Sequence, residues 1–347
     1  MYIKKILLII VLLGAVGMGA FAWYVYNTAF SGNTAFNNNE AHVYIPTNAT
    51  IDDVVAELEP LLRDTESFYA VADQKKYSGN VKPGHFIIKK GMTNNDIINV
   101  LRSRNIPINI KFNNQERLED LAGHISKQIE ADSISLLESM REPEFLKKVG
   151  LSEETALSLY IPNTYEFYWN SSAETFRNKM KTEYERFWNE SRIQKAKNLN
   201  LSKDQVMALA AIVQKETAKV DERPRVAGVY LNRLKIGMLL QADPTVIYAL
   251  KRESGDYTQI IKRVLYADLE LDSPYNTYKY AGVPPGPITM PDISSIDAVL
   301  NPEKHEYYFF VADVTNFGYH KFAKTLAQHN VNKVEYVRWV NSQGLKR

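Results

Sequence analysis

Hydrophobic and polar positions along the chain fall into several distinct patterns. From residue 6 to residue 26 the run ILLIIVLLGAVGMGAFAWYVY follows Lys4 and Lys5 and carries no charged side chain. Its 21 residues predict one helix able to span a bilayer, for which about 20 suffice. SGNTAFNNNE, Ser31 to Glu40, is short of apolar residues and predicts a flexible spacer. VYIPTNATIDDVVAEL and FIIKKGMTNNDIINVL then repeat one plan: a short β-like run, a turn, and an amphipathic helix ending at Leu58 and at Leu101. Thr50 with Asp53, and Thr93 with Asp96, have the spacing of a reciprocal helix cap. INIKF with QERLEDLAGHISKQI is a looser third copy.

Beyond Asp132 the pattern is mostly helical and rich in aromatics. LYIPNTYEFYW gathers Tyr160, Tyr165, Phe167, Tyr168 and Trp169, which suit either a sugar-binding groove or a core. AETFRNKMKTEYERFW, from Ala173, predicts an amphipathic helix closing against the region that follows. In QVMALAAIVQKETA, Val206, Leu209, Ile212 and Val213 recur at helical spacing on one face. Arg223 and Pro224 break that periodicity; a second helix is expected from about Arg225 to Leu234, with Gly237 as its stop. Asp243-Pro244 reads as a turn, after which Thr245 to Tyr248 are apolar-patterned again. A buried strand at Tyr307 to Ala312, a turn near Asn316-Phe317-Gly318 and a short return strand close the pattern. The expected architecture is α+β: an N-terminal transmembrane anchor (1–27), a flexible linker (28–40), a small α/β subdomain (41–110), a helical aromatic-rich connection (111–195) and a mixed α/β domain (196–347).

Composition narrows the possibilities. At 347 residues, 45% hydrophobic and 24% charged, the chain can bury more than one core. It has no cysteine, which excludes disulfides and a thiol nucleophile. Lys4 and Lys5 account for the whole net charge of +2, so the body is neutral and nucleic acid is not an expected partner. By the positive-inside tendency the two lysines stay cytoplasmic and the body lies outside the cytoplasm. A cleaved signal peptide, with Ala20-Phe21-Ala22 as its processing site, is the alternative, and it too exports the body.

Glu216 is the candidate for chemistry. It lies about two turns above Leu209 and one above Ile212, where the stripe calls for an apolar side chain. Burial there would raise its pKa towards that of a general acid. The other reading is that the helix ends and Glu216 frays into solvent beside Lys215 and Lys219. No Gly-rich phosphate loop, dinucleotide fingerprint, G-x-S-x-G elbow or HExxH occurs, and His320 and His329 lack metal-ligand spacing. No metal and no cofactor are expected.

The series IVQKETA, ER, VAGVYLNRL, IGM and LQADPTVIY, over more than forty residues, resembles the core signature of the MltG-type (YceG-like) endolytic murein transglycosylases. YNTYKYAGVPPGPITMP is similar to a further family element, and His320, Phe322, Thr325 and His329 match its closing motif. The resemblance implies that Glu216 is the catalytic acid and base, and that residues 41–110 form a LysM-like subdomain. It also implies a membrane-anchored bacterial enzyme cutting peptidoglycan between N-acetylmuramic acid and N-acetylglucosamine, with 1,6-anhydro ends as product. Such an enzyme works on nascent strands near the cell-wall synthases at the inner membrane. Asn232, Gln241, Asp243, Thr245, Tyr248, Asn276 and Tyr278, polar groups inside the matched motifs, are expected as substrate-binding groove or support residues. Two departures stand out: Gln214, where many members have Glu and where a solvated helix face is expected, and Asn163, where the family has an acid. A muramidase-type hydrolase using the same Glu216, and a non-catalytic glycan-binding scaffold, are the alternative functions.

Overall fold

A computed structural model of the chain describes residues 2–342; Met1 of the expected anchor and 343–347 of the expected C-terminal domain lie outside them. The chain divides into two units and passes back and forth between them. The first comprises the residues up to Ile110 with Lys127–Ala131 and Tyr165–Ser172; the second comprises Lys111–Ser126, Asp132–Thr164 and all that follows Ala173.

The first unit runs α1 (Tyr2–Phe30), β1 (Glu40–Ile45), α2 (Ile51–Leu58), α3 (Thr65–Gln74), β2 (Gly84–Lys89), α4 (Asn94–Leu101) and into β3 (Ile108–Phe112). Both Thr-x-x-Asp pairs form complete capping boxes, which start α2 and α4 where the sequence puts them. β1 and β2 pair antiparallel, Val43 opposite Phe86, and their alternate residues Val43, Ile45, Phe86 and Ile88 join Val54, Leu58, Phe68, Ile97 and Ile98 in one core. α1 is long and apolar enough to cross a membrane, and its side chains are exposed as far as Tyr24, with Ala29 buried.

The stretch after α1 differs from the expected flexible spacer. Asn33 and Thr34 are buried, and the backbone of 33–35 exchanges hydrogen bonds with Leu61, Arg63 and Met92. Asn33 also bonds Asp64 and the buried Asn94, whose amide reaches back to the Thr28 carbonyl. Polar composition suggested solvation, but here the polar groups satisfy one another inside the fold.

The second unit contains α5 (Leu118–Ile125), α6 (Ser133–Arg141), α7 (Pro143–Val149), the start of β4 (Asn163–Phe167), α8 (Ala173–Phe187), α9 (Glu190–Asn198), α10 (Lys203–Glu216), α11 (Arg223–Lys235), α12 (Asp243–Ser254), α13 (Ile293–Leu300), β5 (Phe309–Ala312), β6 (His320–Ala323) and α14 (Leu326–Ser342). α10 is the hub. All eight residues from Val206 to Val213 are buried, and α11, α12 and α13 pack around it. The expected one-sided stripe was too narrow, because Ala208, Ala210 and Ala211 let neighbours approach the other faces.

Arg223-Pro224 and Asp243-Pro244 are helix starts and not breaks: proline occupies the first turn of α11 and of α12, where its missing N–H costs nothing. Gly237, left-handed at φ 71°, follows α11 as expected. Tyr160 and Phe167 are core residues, Tyr160 stacked on Phe176 of α8, and α8 packs chiefly on α6. β5 and β6 form the expected antiparallel pair, though β5 is shorter and only half-buried. In the proline-rich loop a Cβ at Gly286 would lie 2.0 Å from the Glu154 carbonyl oxygen, so only glycine fits there.

Candidate active site

Glu216 is the last residue of α10; Thr217 after it is extended, so the helix does end there. The side chain is nevertheless held and half-buried, not frayed. Tyr230, buried on α11, donates to Glu216 Oε1 at 2.7 Å, and Oε2 has no protein partner among the described residues. Burial is the main influence on the carboxyl and pushes it up to about 7; the Tyr230 hydroxyl, His320 and Arg233 pull the other way, and Asp243 adds to the rise. The carbonyl end of α10 acts in the same sense as burial, since it disfavours a negative charge.

Around this acid lies a cavity of about 320 Å³, lined by Glu216, Arg233, Gln241, Asp243, Tyr278 and His329, with Phe309, Phe310 and Leu326 as its apolar wall. Each lining side chain is delivered by a recognisable piece of backbone. Arg233 is buried, donating from Nε to the Tyr308 carbonyl at 2.7 Å and from Nη1 to Leu240 at 2.5 Å, which ties α11 to β5. Gln241 sits in the left-handed region at φ 50°, a conformation costly for a residue with a Cβ. Its N–H bonds the Thr277 carbonyl, while Ala242 N–H and Thr245 Oγ1 both bond Thr277 Oγ1. That network fixes the corner that presents Gln241 and Asp243. Tyr278 donates to Asp243 Oδ1 at 2.5 Å.

His329 stacks on Phe309 at 5.3 Å, and its Nδ1 is buried without a hydrogen-bond partner. Burial first, then Lys333 and Arg233, hold this imidazole below its usual range. Behind the acid, Glu222 accepts from the N–H of His320 at 2.7 Å and pairs with its Nδ1 at 2.9 Å; burial opposes ionisation of this carboxyl, but the His320 bonds hold it below the usual range.

Four of the eight residues singled out in the sequence therefore meet in one cavity: Glu216, Gln241, Asp243 and Tyr278. The others stand behind it or away from it. Thr245 and Asn276 are fully buried, Thr245 in the corner network and Asn276 donating to the Leu269 and Leu271 carbonyls. Asn232 donates to the His305 and Tyr307 carbonyls and so secures the approach to β5. Tyr248 packs against Tyr275 at 4.8 Å and lines a different cavity, with Glu116 and Arg252.

Gln214 is not on a solvated face: its Oε1 accepts the N–H of Asp292 at 2.6 Å, which joins the end of α10 to the start of α13. Tyr230 and Arg233 were missed, although the signal was present. Val226, Val229, Tyr230 and Arg233 follow helical spacing, and Arg233 extends an apolar stripe as Glu216 does. Among the described residues no three His, Asp or Glu side chains converge to hold a metal.

Comparison with known proteins bears on what this arrangement does. The chain matches the YceG-like family over residues 43–335. A Bacillus subtilis (strain 168) protein named endolytic murein transglycosylase is 38% identical over 174 residues, covering 50% of this chain and 41% of that one. The protein of the same name from Streptococcus pneumoniae serotype 2 is 27% identical over 325 residues, covering 85% of this chain and 58% of that one. The chain thus spans less than two thirds of either relative. The crystal structure of a YceG-like protein from Listeria monocytogenes superimposes with a TM-score of 0.56 at 28% identity, covering 85% of this chain and 99% of that one.

Proposed function

The chain belongs to the YceG-like family, and on that premise we propose that it is an endolytic murein transglycosylase in which Glu216 is first the acid and then the base. The observation that carries the reading is one carboxyl at the edge of a cavity, with Oε1 fixed by Tyr230, Oε2 free, and burial pushing it up to about 7. The proton of Glu216 passes to the glycosidic oxygen as the bond from C1 of N-acetylmuramic acid to O4 of N-acetylglucosamine breaks. The resulting carboxylate then takes the proton of the muramoyl C6 hydroxyl, whose oxygen bonds C1. No water is consumed, and the product ends in a 1,6-anhydro ring. The hydroxyl belongs to the same sugar, so proximity replaces an enzyme-held water. Tyr230 and Arg233 steady the carboxylate during its ionised interval, and burial with Asp243 favours return of the proton.

α1 supports membrane anchoring with the body outside the cytoplasm, and the β1-α2-α3-β2 order supports a LysM-like, glycan-binding first unit. In this reading the enzyme ends nascent strands beside the synthases. A muramidase-type hydrolase is the second reading, favoured by one observation: Asp243 shares the cavity with Glu216 and could hold a water.

Mass spectrometry of purified peptidoglycan incubated with the full chain in detergent separates them. Anhydro-ended fragments from wild type, absent with Glu216→Gln, are expected. Reducing ends would transfer the assignment to a hydrolase, and binding without cleavage to a scaffold.

A further inference from the structure

A second cavity, of about 680 Å³, adjoins the one at Glu216 and shares Asp243 and Tyr278 with it. Its size falls within the about 300–1,000 Å³ of ligand sites. α14 runs along both. Leu326 and His329 line the first cavity, and Lys333, Tyr336 and Val340 the second; their alternating three- and four-residue spacing puts all five on one helix face. Opposite α14, the segment between α12 and α13 contributes Lys262, Arg263 and the exposed Tyr266.

The charge of this second cavity is lopsided. Lys262, Arg263 and Lys333 line it, and none of them forms an ion pair with a carboxylate among the described residues. The acids nearby are engaged otherwise: Asp243 accepts the Tyr278 hydroxyl, Asp268 accepts the N–H of Leu265, and Glu335 pairs with Lys321. A neutral protein that leaves three cations unpaired around tyrosines, one step from its acid, is built for an anion with flat or apolar parts. The sugar rings supply no such charge, but the peptide stem does. It hangs from the muramoyl residue through the lactyl ether and carries carboxylates, and the muramoyl residue is the one whose C1 must sit at Glu216.

Resting on the transglycosylase reading, we propose that this cavity receives the carboxylate-bearing peptide stem of the muramoyl residue seated at Glu216, with Lys262, Arg263 and Lys333 as its cationic contacts. An anionic lipid headgroup offers similar charge. The stem is favoured because the cavity shares Asp243 and Tyr278 with the one at Glu216 and its α14 face continues that cavity's wall.

The experiment measures binding of the full chain in detergent, in a Glu216→Gln background, to glycan strands with intact stems and to the same strands stripped by an amidase. Stems are expected to raise affinity about tenfold at low salt, an advantage that shrinks as salt screens the contacts. Lys262→Ala/Arg263→Ala/Lys333→Ala should abolish the advantage and leave bare-strand affinity unchanged, and Lys262→Arg/Lys333→Arg should retain it. Equal affinity of the parent for both strands overturns the proposal. So does a triple variant that weakens only binding to vesicles containing an anionic lipid. Failure of the reaction itself would look different: wild type would cleave neither strand while the stem preference persisted.

Discussion

Asp53 and Glu216 are carboxylates at opposite ends of helices, and the contrast sets a structural carboxylate beside the one proposed for chemistry. Asp53, in the first turn of α2, accepts both the N–H and the hydroxyl of Thr50 at 2.7 Å. Those bonds hold its carboxyl below the usual range. The positive end of the helix dipole also favours a charge there. Glu216 closes the buried α10, at the negative end of its dipole, with one hydroxyl donor against the cost of desolvation, and it is pushed up to about 7. The same functional group is locked ionised in one place and poised to exchange a proton in the other.

Replacing the two acids is the strongest way to break that contrast. Glu216→Gln keeps shape and loses proton transfer, and turnover should fall by about 10³-fold. Asp53→Asn should leave turnover unchanged. A wild-type-like rate for Glu216→Gln, measured as released fragments, would remove Glu216 from the chemistry. Stability should move the other way. A carboxyl whose folded pKa exceeds its unfolded value of 4.5 contributes fully below that pH, and the contribution is lost as pH rises to about 7. Glu216→Gln should therefore gain on wild type in melting experiments over that window, by up to about 3 kcal/mol.

The pH profile sharpens the contrast by a smaller amount. In the proposed mechanism the acid form of Glu216 is the reactive one, so kcat/KM should fall about tenfold per unit above about pH 7. Tyr230 donates to the carboxylate and so lowers its pKa; Tyr230→Phe should move this limb upward by about one unit. A profile that Tyr230→Phe leaves in place would mean that another group sets the limb.

Local signals made the first unit and the acid legible. The capping boxes, the helix ends at Leu58 and Leu101, and Glu216 on an apolar stripe could all be read because each depends on residues a few positions apart. The cavity could not be read in the same way. Gln241 enters it through a left-handed turn held by Thr277, and Asp243 through a helix start that resembles a turn. Thr245 and Asn276 carry the same motif membership as Tyr278 yet point into the supporting network. Polarity inside a motif does not say which side of the backbone faces the substrate. Ser31–Glu40 failed for a related reason: Asn33 and Asn94 find their partners 61 residues apart, and no local pattern records such a pairing.

The smallest effect tests the structural half of the contrast. Thr50→Ala removes the hydroxyl that accepts from Asp53 N–H and donates to its carboxylate, and should cost about 1 kcal/mol. Thr93→Ala removes the matching pair at α4 and should cost about as much. Hydrogen exchange is the suitable measurement, because it reports opening helix by helix where one melting curve would blend two units. Faster exchange confined to α2 in the first variant and to α4 in the second, with turnover unaltered, is the expected result. Loss of turnover in either would mean that these caps do more than start helices, and that the first unit's order governs the reaction.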